Sequence, residues 1–94
     1  SDKPVVVLFS APWCSYCVKQ SPVFEKVARQ LSATVKFVKN NTDNDKALKN
    51  RYGVRGIPNI GIHLPGAANG ALILRPGFKE EAALKAFIKE ATKA

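Results

Sequence analysis

The chain contains two cysteines, Cys14 and Cys17, and they stand three residues apart. A disulfide scaffold needs more pairs set further apart, and so short a loop gains little entropy from closure. The spacing therefore speaks for chemistry rather than architecture. Two thiols this close can form and break a disulfide between themselves, which is the requirement for thiol–disulfide exchange by way of a mixed disulfide. The rival uses of the pair are poorly supplied. Structural zinc takes about four ligands, and beyond the two cysteines there is only His63, distant in the chain. Covalent haem attachment wants a histidine directly after the second cysteine, where Val18 stands. No metal and no cofactor is expected.

Exchange requires a thiolate, so the pair must be positioned by its surroundings. Pro4 to Phe9 is a β-branched apolar run, the pattern of a strand buried on both faces. Ser10-Ala11-Pro12 breaks it, and a helical period begins after Cys17, with Val23, Phe24, Val27 and Leu31 on one stripe. Pro22 lies inside that helix and is expected to kink it. Cys14 thus falls at a helix N-terminus, where unpaired N–H groups and the positive end of the macrodipole favour negative charge. That makes Cys14 the expected nucleophile and the more exposed sulfur. Cys17, one turn on and deeper, is the expected resolving thiol, attacking Cys14 to release the substrate.

The remaining elements follow from periodicity and turn residues. Val35 to Val38 predicts a second strand, and Asn40-Asn41-Thr42-Asp43 a loop with helix-capping residues. Ala47, Leu48 and Tyr52 predict a short helix closed by Gly53. Ile60, Ile62 and Leu64 alternate as a third strand, and Leu72 to Leu74 form a fourth, with turns at Pro65-Gly66, Asn69-Gly70 and Pro76-Gly77. Leu84, Phe87, Ile88 and Ala91 mark the last helix. The order is β-α-β-α-β-β-α, an α/β arrangement. The first crossover should join parallel strands and the last two strands should pair antiparallel. The expected architecture is a four-stranded mixed sheet with helices on both faces.

Length and charge limit the alternatives. Ninety-four residues, 46% of them hydrophobic, suit one domain over residues 1–94 with a single core. No apolar run reaches the length of a membrane span. The 15 Lys and Arg against 7 Asp and Glu leave a net charge of +8. Lys85, Lys89 and Lys93 recur every four residues on the last helix and read as a solvated face, with Glu81 placed to pair with Lys85. Lys46, Lys49, Arg51 and Arg55 cluster around the second helix, where they could steer an acidic protein. Nucleic-acid binding wants stacking aromatics among the charges, which this sequence does not offer. Met is absent and no leader is evident, so a processed product or an excised domain is expected.

Trp13-Cys14-Ser15-Tyr16-Cys17 between strand and helix, Pro22 eight residues past the first cysteine, Gly56-Ile57-Pro58 opening the third strand and Gly77 before the last helix together resemble the thioredoxin superfamily. The resemblance covers nearly the whole chain, in a compact form without the extra N-terminal strand and helix of full thioredoxins. Gly77-Phe78 is also similar to thioredoxin-like domains of membrane-linked thiol reductases. The resemblance implies a thioredoxin-like fold and a monomeric thiol–disulfide oxidoreductase acting on protein disulfides or dithiols and recharged by an upstream thiol donor. It implies a cis bond before Pro58, so that the backbone of Ile57 lies beside Cys14 and pairs with an extended substrate segment. It places Trp13, Gly56, Ile57, Pro58 and Gly77 around the sulfurs as the substrate-binding set. Tyr16 and Phe78 could complete an apolar rim there, with a place in the core as the equal alternative for Phe78.

Two features qualify the direction of electron flow. Tyr16 between the cysteines is similar to glutaredoxins and disulfide isomerases, whereas Ile57 before the proline is thioredoxin-like; reduction of protein disulfides is favoured, with oxidation, isomerisation or redox-linked binding as alternatives. Six residues before Cys14, where thioredoxins carry a buried Asp, stands Leu8. Lys39 matches the lysine that partners that acid. Without the acid it is expected to run its stem to solvent, with a modulating role near Cys17 as the alternative. The basic charge and the likeness to membrane-linked reductases favour an extracytoplasmic setting over the cytoplasm.

Overall fold

A computed structural model of the chain describes residues 3–66 and 71–92. The elements run β1 (Val5–Ser10), α1 (Ser15–Leu31), β2 (Lys36–Asn41), α2 (Ala47–Tyr52), β3 (Asn59–His63), β4 (Ile73–Pro76) and α3 (Glu81–Thr92). The Asn69-Gly70 turn and Lys93 lie outside the described residues.

The four strands form one sheet in the order β2-β1-β3-β4. β1 is central. It pairs parallel with β2, Val6 opposite Phe37 and Leu8 opposite Lys39, and antiparallel with β3, Leu8 opposite Ile60. β3 and β4 are antiparallel. A strand flanked on both sides and covered on both faces must be apolar throughout, which is why Val6 to Phe9 are all buried.

Strand alternation divides that run between two clusters. Val6 and Leu8, with Ile60 and Ile62, pack against Phe24 and Val27 of α1 and Leu84, Phe87 and Ile88 of α3. Val7 and Phe9 turn to the opposite face, with Val54, the partly buried Leu48 and Tyr52 of α2, Leu74 of β4 and Leu72 just before it. Phe24 meets Phe37 edge to face, with ring centroids 5.5 Å apart. Glu81 ties the helices of the first cluster together, pairing with Lys26 of α1 and with Lys85 one turn along α3, each at 2.9 Å.

Several boundaries differ from the sequence reading. β2 extends through Asn40 and Asn41, because pairing with Phe9 and Ser10 of β1 continues the ladder past the apolar residues. Val35 precedes the strand but is buried in the core. Leu64 falls just past β3, and Leu72 just before β4. The N-cap of α2 is Lys46, without a side-chain cap bond; instead the Asp45 carboxylate accepts from the Ala47 N–H at 3.1 Å. Gly53 closes α2 in the left-handed region, φ +66°, as expected of a glycine C-cap. α1 runs as one helix through Pro22.

Candidate active site

The carboxyl end of β1 and the start of α1 place the two sulfurs. Cys14 is the N-cap of α1, in extended backbone, and its Sγ accepts from the Cys17 N–H at 3.3 Å. This is the geometry in which a Ser or Asp oxygen caps a helix, with sulfur in place of oxygen. The N–H that Cys14 receives belongs to the first turn, where donors have no carbonyl partner within the helix. Negative charge on Cys14 Sγ is thereby met by a donor already in place. The Val18 N–H closes the first helical bond onto the Cys14 carbonyl at 3.0 Å.

The two cysteines occupy different surroundings. Both are free thiols; Cys14 is half-buried, whereas Cys17 is only 2% exposed. Burial pushes the Cys17 thiol up to about 11, and the Cys14 side chain adds to the rise while the Ala11 backbone works against it. The fold therefore favours the neutral Cys17 thiol.

The Ile57–Pro58 peptide is cis. It brings the Ile57 carbonyl to the Cys14 thiol, which donates to it at 3.9 Å. Pro58 is buried, Ile57 half-buried and Gly56 exposed. The Pro58 carbonyl in turn accepts from the Gly77 N–H at 2.9 Å, so the segment before α3 is joined to the same corner. Gly77 has φ +95°, which favours glycine there. Phe78 follows, exposed, with its ring centroid 6.4 Å from that of Tyr16, also exposed. The Lys19 ammonium lies over the Tyr16 ring, 5.5 Å from its centroid. Trp13 is 70% exposed, and its Nε1–H donates to Asp43 at 3.0 Å. The structure thus gathers Tyr16 with Phe78, and Cys14 with Ile57, Pro58 and Gly77, while Trp13 is oriented by the loop after β2.

Lys39 is exposed, as expected, and its ammonium also finds partners on α1. Its ammonium bonds the Ser21 hydroxyl at 2.6 Å and forms an ion pair with Glu25, both on α1. The contact with Lys39 holds the Glu25 carboxyl below the usual carboxylate range, although the pair is largely exposed. Lys39 also lines, with Cys17, Ser21 and Asn41, a cleft of about 410 Å³. Leu8 is fully buried in the apolar cluster. The acidic partner of this lysine among the described residues is therefore Glu25 on α1 and not a residue of β1.

Sequence reasoning passes over Asp43, Ser21, Glu25 and Gln20. The first three are ordinary surface residue types whose partners come from distant elements. Gln20 lies one turn after Tyr16, is fully buried, and grips the backbone of Lys79 by both ends of its amide. A glutamine on an apolar helix stripe was its only signal.

Comparison with known proteins agrees with this geometry. The family model described as Thioredoxin matches residues 1–90. The chain is 42% identical over 73 residues to an M-type chloroplastic thioredoxin of Brassica napus, and 44% identical over 62 residues to thioredoxin 1 of a Nostoc species. These alignments take in 78% and 66% of the chain, but only 41% and 58% of the two relatives. Among solved structures, the germline-specific thioredoxin Deadhead of Drosophila melanogaster superposes with a TM-score of 0.83 at 27% identity, covering 96% of this chain and 82% of that one. Chloroplastic thioredoxin z gives 0.79 at 29% identity, covering 95% and 78%.

Proposed function

The chain belongs to the thioredoxin family, and from that premise we propose that it is a thiol–disulfide oxidoreductase that reduces disulfides in protein substrates. The observation that carries this reading is the Cys14 sulfur: half-buried, capping α1, with the Cys17 N–H on it and the Ile57 carbonyl beside it. In this mechanism Cys14 Sγ, as thiolate, attacks one sulfur of the substrate disulfide. A bond forms between Cys14 and that sulfur, and the other substrate sulfur leaves with the electron pair and takes up a proton. Cys17 then loses its proton and attacks Cys14 Sγ. The Cys14–Cys17 disulfide forms, and the second substrate sulfur leaves as a thiol. Two electrons have passed from the dithiol to the substrate, and an external thiol donor restores the pair.

Around that exchange, Trp13, Tyr16, Gly56, Ile57, Pro58, Gly77 and Phe78 form the substrate-contacting rim, with the backbone at Ile57 offered to an extended segment. Lys39 modulates the second step from the shared cleft, where its positive charge favours thiolate formation on Cys17. The relatives are thioredoxins by name, which supports reduction over oxidation, as does the isoleucine before the cis-proline.

Reduction of insulin by the dithiol form, followed by turbidity, tests the reading. The wild type should turn over with a thiol donor, and Cys14→Ser should abolish turnover. Cys17→Ser should retain one attack and accumulate a mixed disulfide. Equilibration against glutathione buffers settles direction. A pair that stays disulfide until glutathione is almost wholly reduced supports a reductase. A pair readily reduced by the glutathione pool overturns that direction in favour of oxidation or isomerisation.

A further inference from the structure

Gln20 is a polar side chain buried on the α1 stripe that otherwise packs Cys17, Phe24 and Val27 inward. Burying an amide is unfavourable unless both its ends are bonded. Here both bonds go to one residue 59 positions away: Gln20 Nε2–H donates to the Lys79 carbonyl at 3.0 Å, and Gln20 Oε1 accepts from the Lys79 N–H at 2.7 Å. The amide thus pairs with a peptide group as a neighbouring strand would.

The gripped segment is otherwise without regular structure. It runs from the end of β4 to the start of α3 and carries exposed Phe78 between two fixed points. At one end the Gly77 N–H is bonded to the Pro58 carbonyl; at the other Lys79 is bonded to Gln20. The Lys79 ammonium closes the loop on itself through the carbonyls of Arg75, Pro76 and Gly77, at 2.6, 3.3 and 3.0 Å. Phe78 is 36% exposed, with its ring centroid 6.4 Å from that of Tyr16. Gln20 and Tyr16 are four residues apart on the same helix, so α1 carries the cysteines, the aromatic that meets Phe78 and the amide that sets the height of Phe78's loop.

We propose that Gln20 is a positioning residue for protein substrates, holding the Gly77–Lys79 segment so that Phe78 and Tyr16 form one apolar contact surface beside Cys14. The proposal rests on the oxidoreductase reading and assigns a role in recognition to a residue that touches neither sulfur. It acts on binding of an extended or folded protein disulfide and not on the exchange step. A small aromatic disulfide, which reaches Cys14 without spanning the rim, should be insensitive to it.

The test compares wild type, Gln20→Leu and Phe78→Ala with insulin and with a small aromatic disulfide. The KM for insulin should rise roughly three- to tenfold in Gln20→Leu. kcat should change far less. Phe78→Ala, a truncation outside both apolar clusters, should raise the same KM by a similar factor. Amide hydrogen exchange supplies a second readout. Protection at Lys79 and Gly77 should fall together in Gln20→Leu while the amides of β1 stay protected. Loss of protection throughout β1 with a fall in kcat on both substrates would show a merely structural glutamine and overturn the proposal. So would an unchanged insulin KM in Phe78→Ala. If the wild type reduces neither disulfide, the oxidoreductase reading fails and the proposal falls with it. If the wild type reduces both and Gln20→Leu matches it, the proposal alone fails.

Discussion

The apolar cluster beneath α1 and α3 and the corner at the carboxyl end of β1 are built on opposite terms. In the cluster, Val6, Leu8, Ile60, Leu84 and Ile88 are interchangeable in kind: each is buried, and none depends on a particular partner atom. At the corner, Cys17, Gln20, Thr42 and Asn59 are just as buried but chemically individual. The Thr42 hydroxyl donates to the Ser10 carbonyl at 3.3 Å, Gln20 needs Lys79, and Cys17 needs the neighbourhood of Cys14 and Ala11. The Oδ1 atoms of Asn40 and Asn59 are buried without a hydrogen bond among the described residues, a cost of placing polar groups there. The core supplies stability by area, and the corner draws on it to hold polar groups in one arrangement. α1 belongs to both, its first turns to the corner and its later turns to the cluster.

The sharpest way to break that division is to place a charge in the core. Leu8→Asp puts a carboxylate at the centre of the sheet and should destabilise by about 3–5 kcal/mol, read from urea midpoints. Burial raises the folded-state pKa of such an acid, so the penalty should be smallest below its unfolded value near 4 and grow as pH rises. The same variant bears on the corner. If Leu8 slows deprotonation of Cys17, the folded Leu8→Asp protein should resolve its mixed disulfide faster in stopped flow, and an unchanged rate refutes that idea.

Next in size, Leu84→Ala leaves a cavity in the cluster and should lower stability by about 2–5 kcal/mol. Insulin turnover at low temperature should stay near wild type, because no bond at the corner passes through Leu84; a proportionate loss of activity would show that the two regions are not separable.

A smaller effect follows from Cys17. Its folded-state pKa stands above its ordinary value, at about 11. The neutral thiol is favoured in the fold, so its contribution is complete below about 9 and declines as pH rises through 11. The reduced wild type should lose stability across that window relative to Cys17→Ala, as followed by thermal melts. The smallest effect belongs to Glu81, held down to about 2 by its bonds to Lys26, then Lys85 and Gln30. Its contribution is present above the ordinary carboxylate value and lost as pH falls through about 2. Glu81→Gln should therefore flatten the acid limb of the stability profile slightly, and at neutral pH should cost little, since Glu81 and its lysine partners stay partly exposed.

The order of elements, the strand directions and the reactive pair were legible without coordinates. Val5 to Phe9 can be little other than a central strand, and a cysteine at a strand-to-helix turn can be little other than a helix cap. These are local facts: side-chain period, β-branching and the unpaired donors of a first turn act within a few residues of where they are written. The extension of β2 to Asn41 was not legible, because ladder pairing with β1, not hydropathy, carries the strand on. Nor were Lys39 with Glu25, Trp13 with Asp43 or Gln20 with Lys79, since each joins residues whose types suit many partners.

The sequence by itself thus determined the sheet, its apolar faces and which sulfur would stand at the head of α1. Only the tertiary structure decided what surrounds that sulfur: the Ile57 carbonyl beside it, Phe78 against Tyr16, and a buried amide bonded 59 residues away. The physical reason is range. Periodicity and capping are read from neighbours along the chain, whereas a hydrogen bond between distant segments exists only once the packed sheet and helices have set their separation to within a few tenths of an ångström.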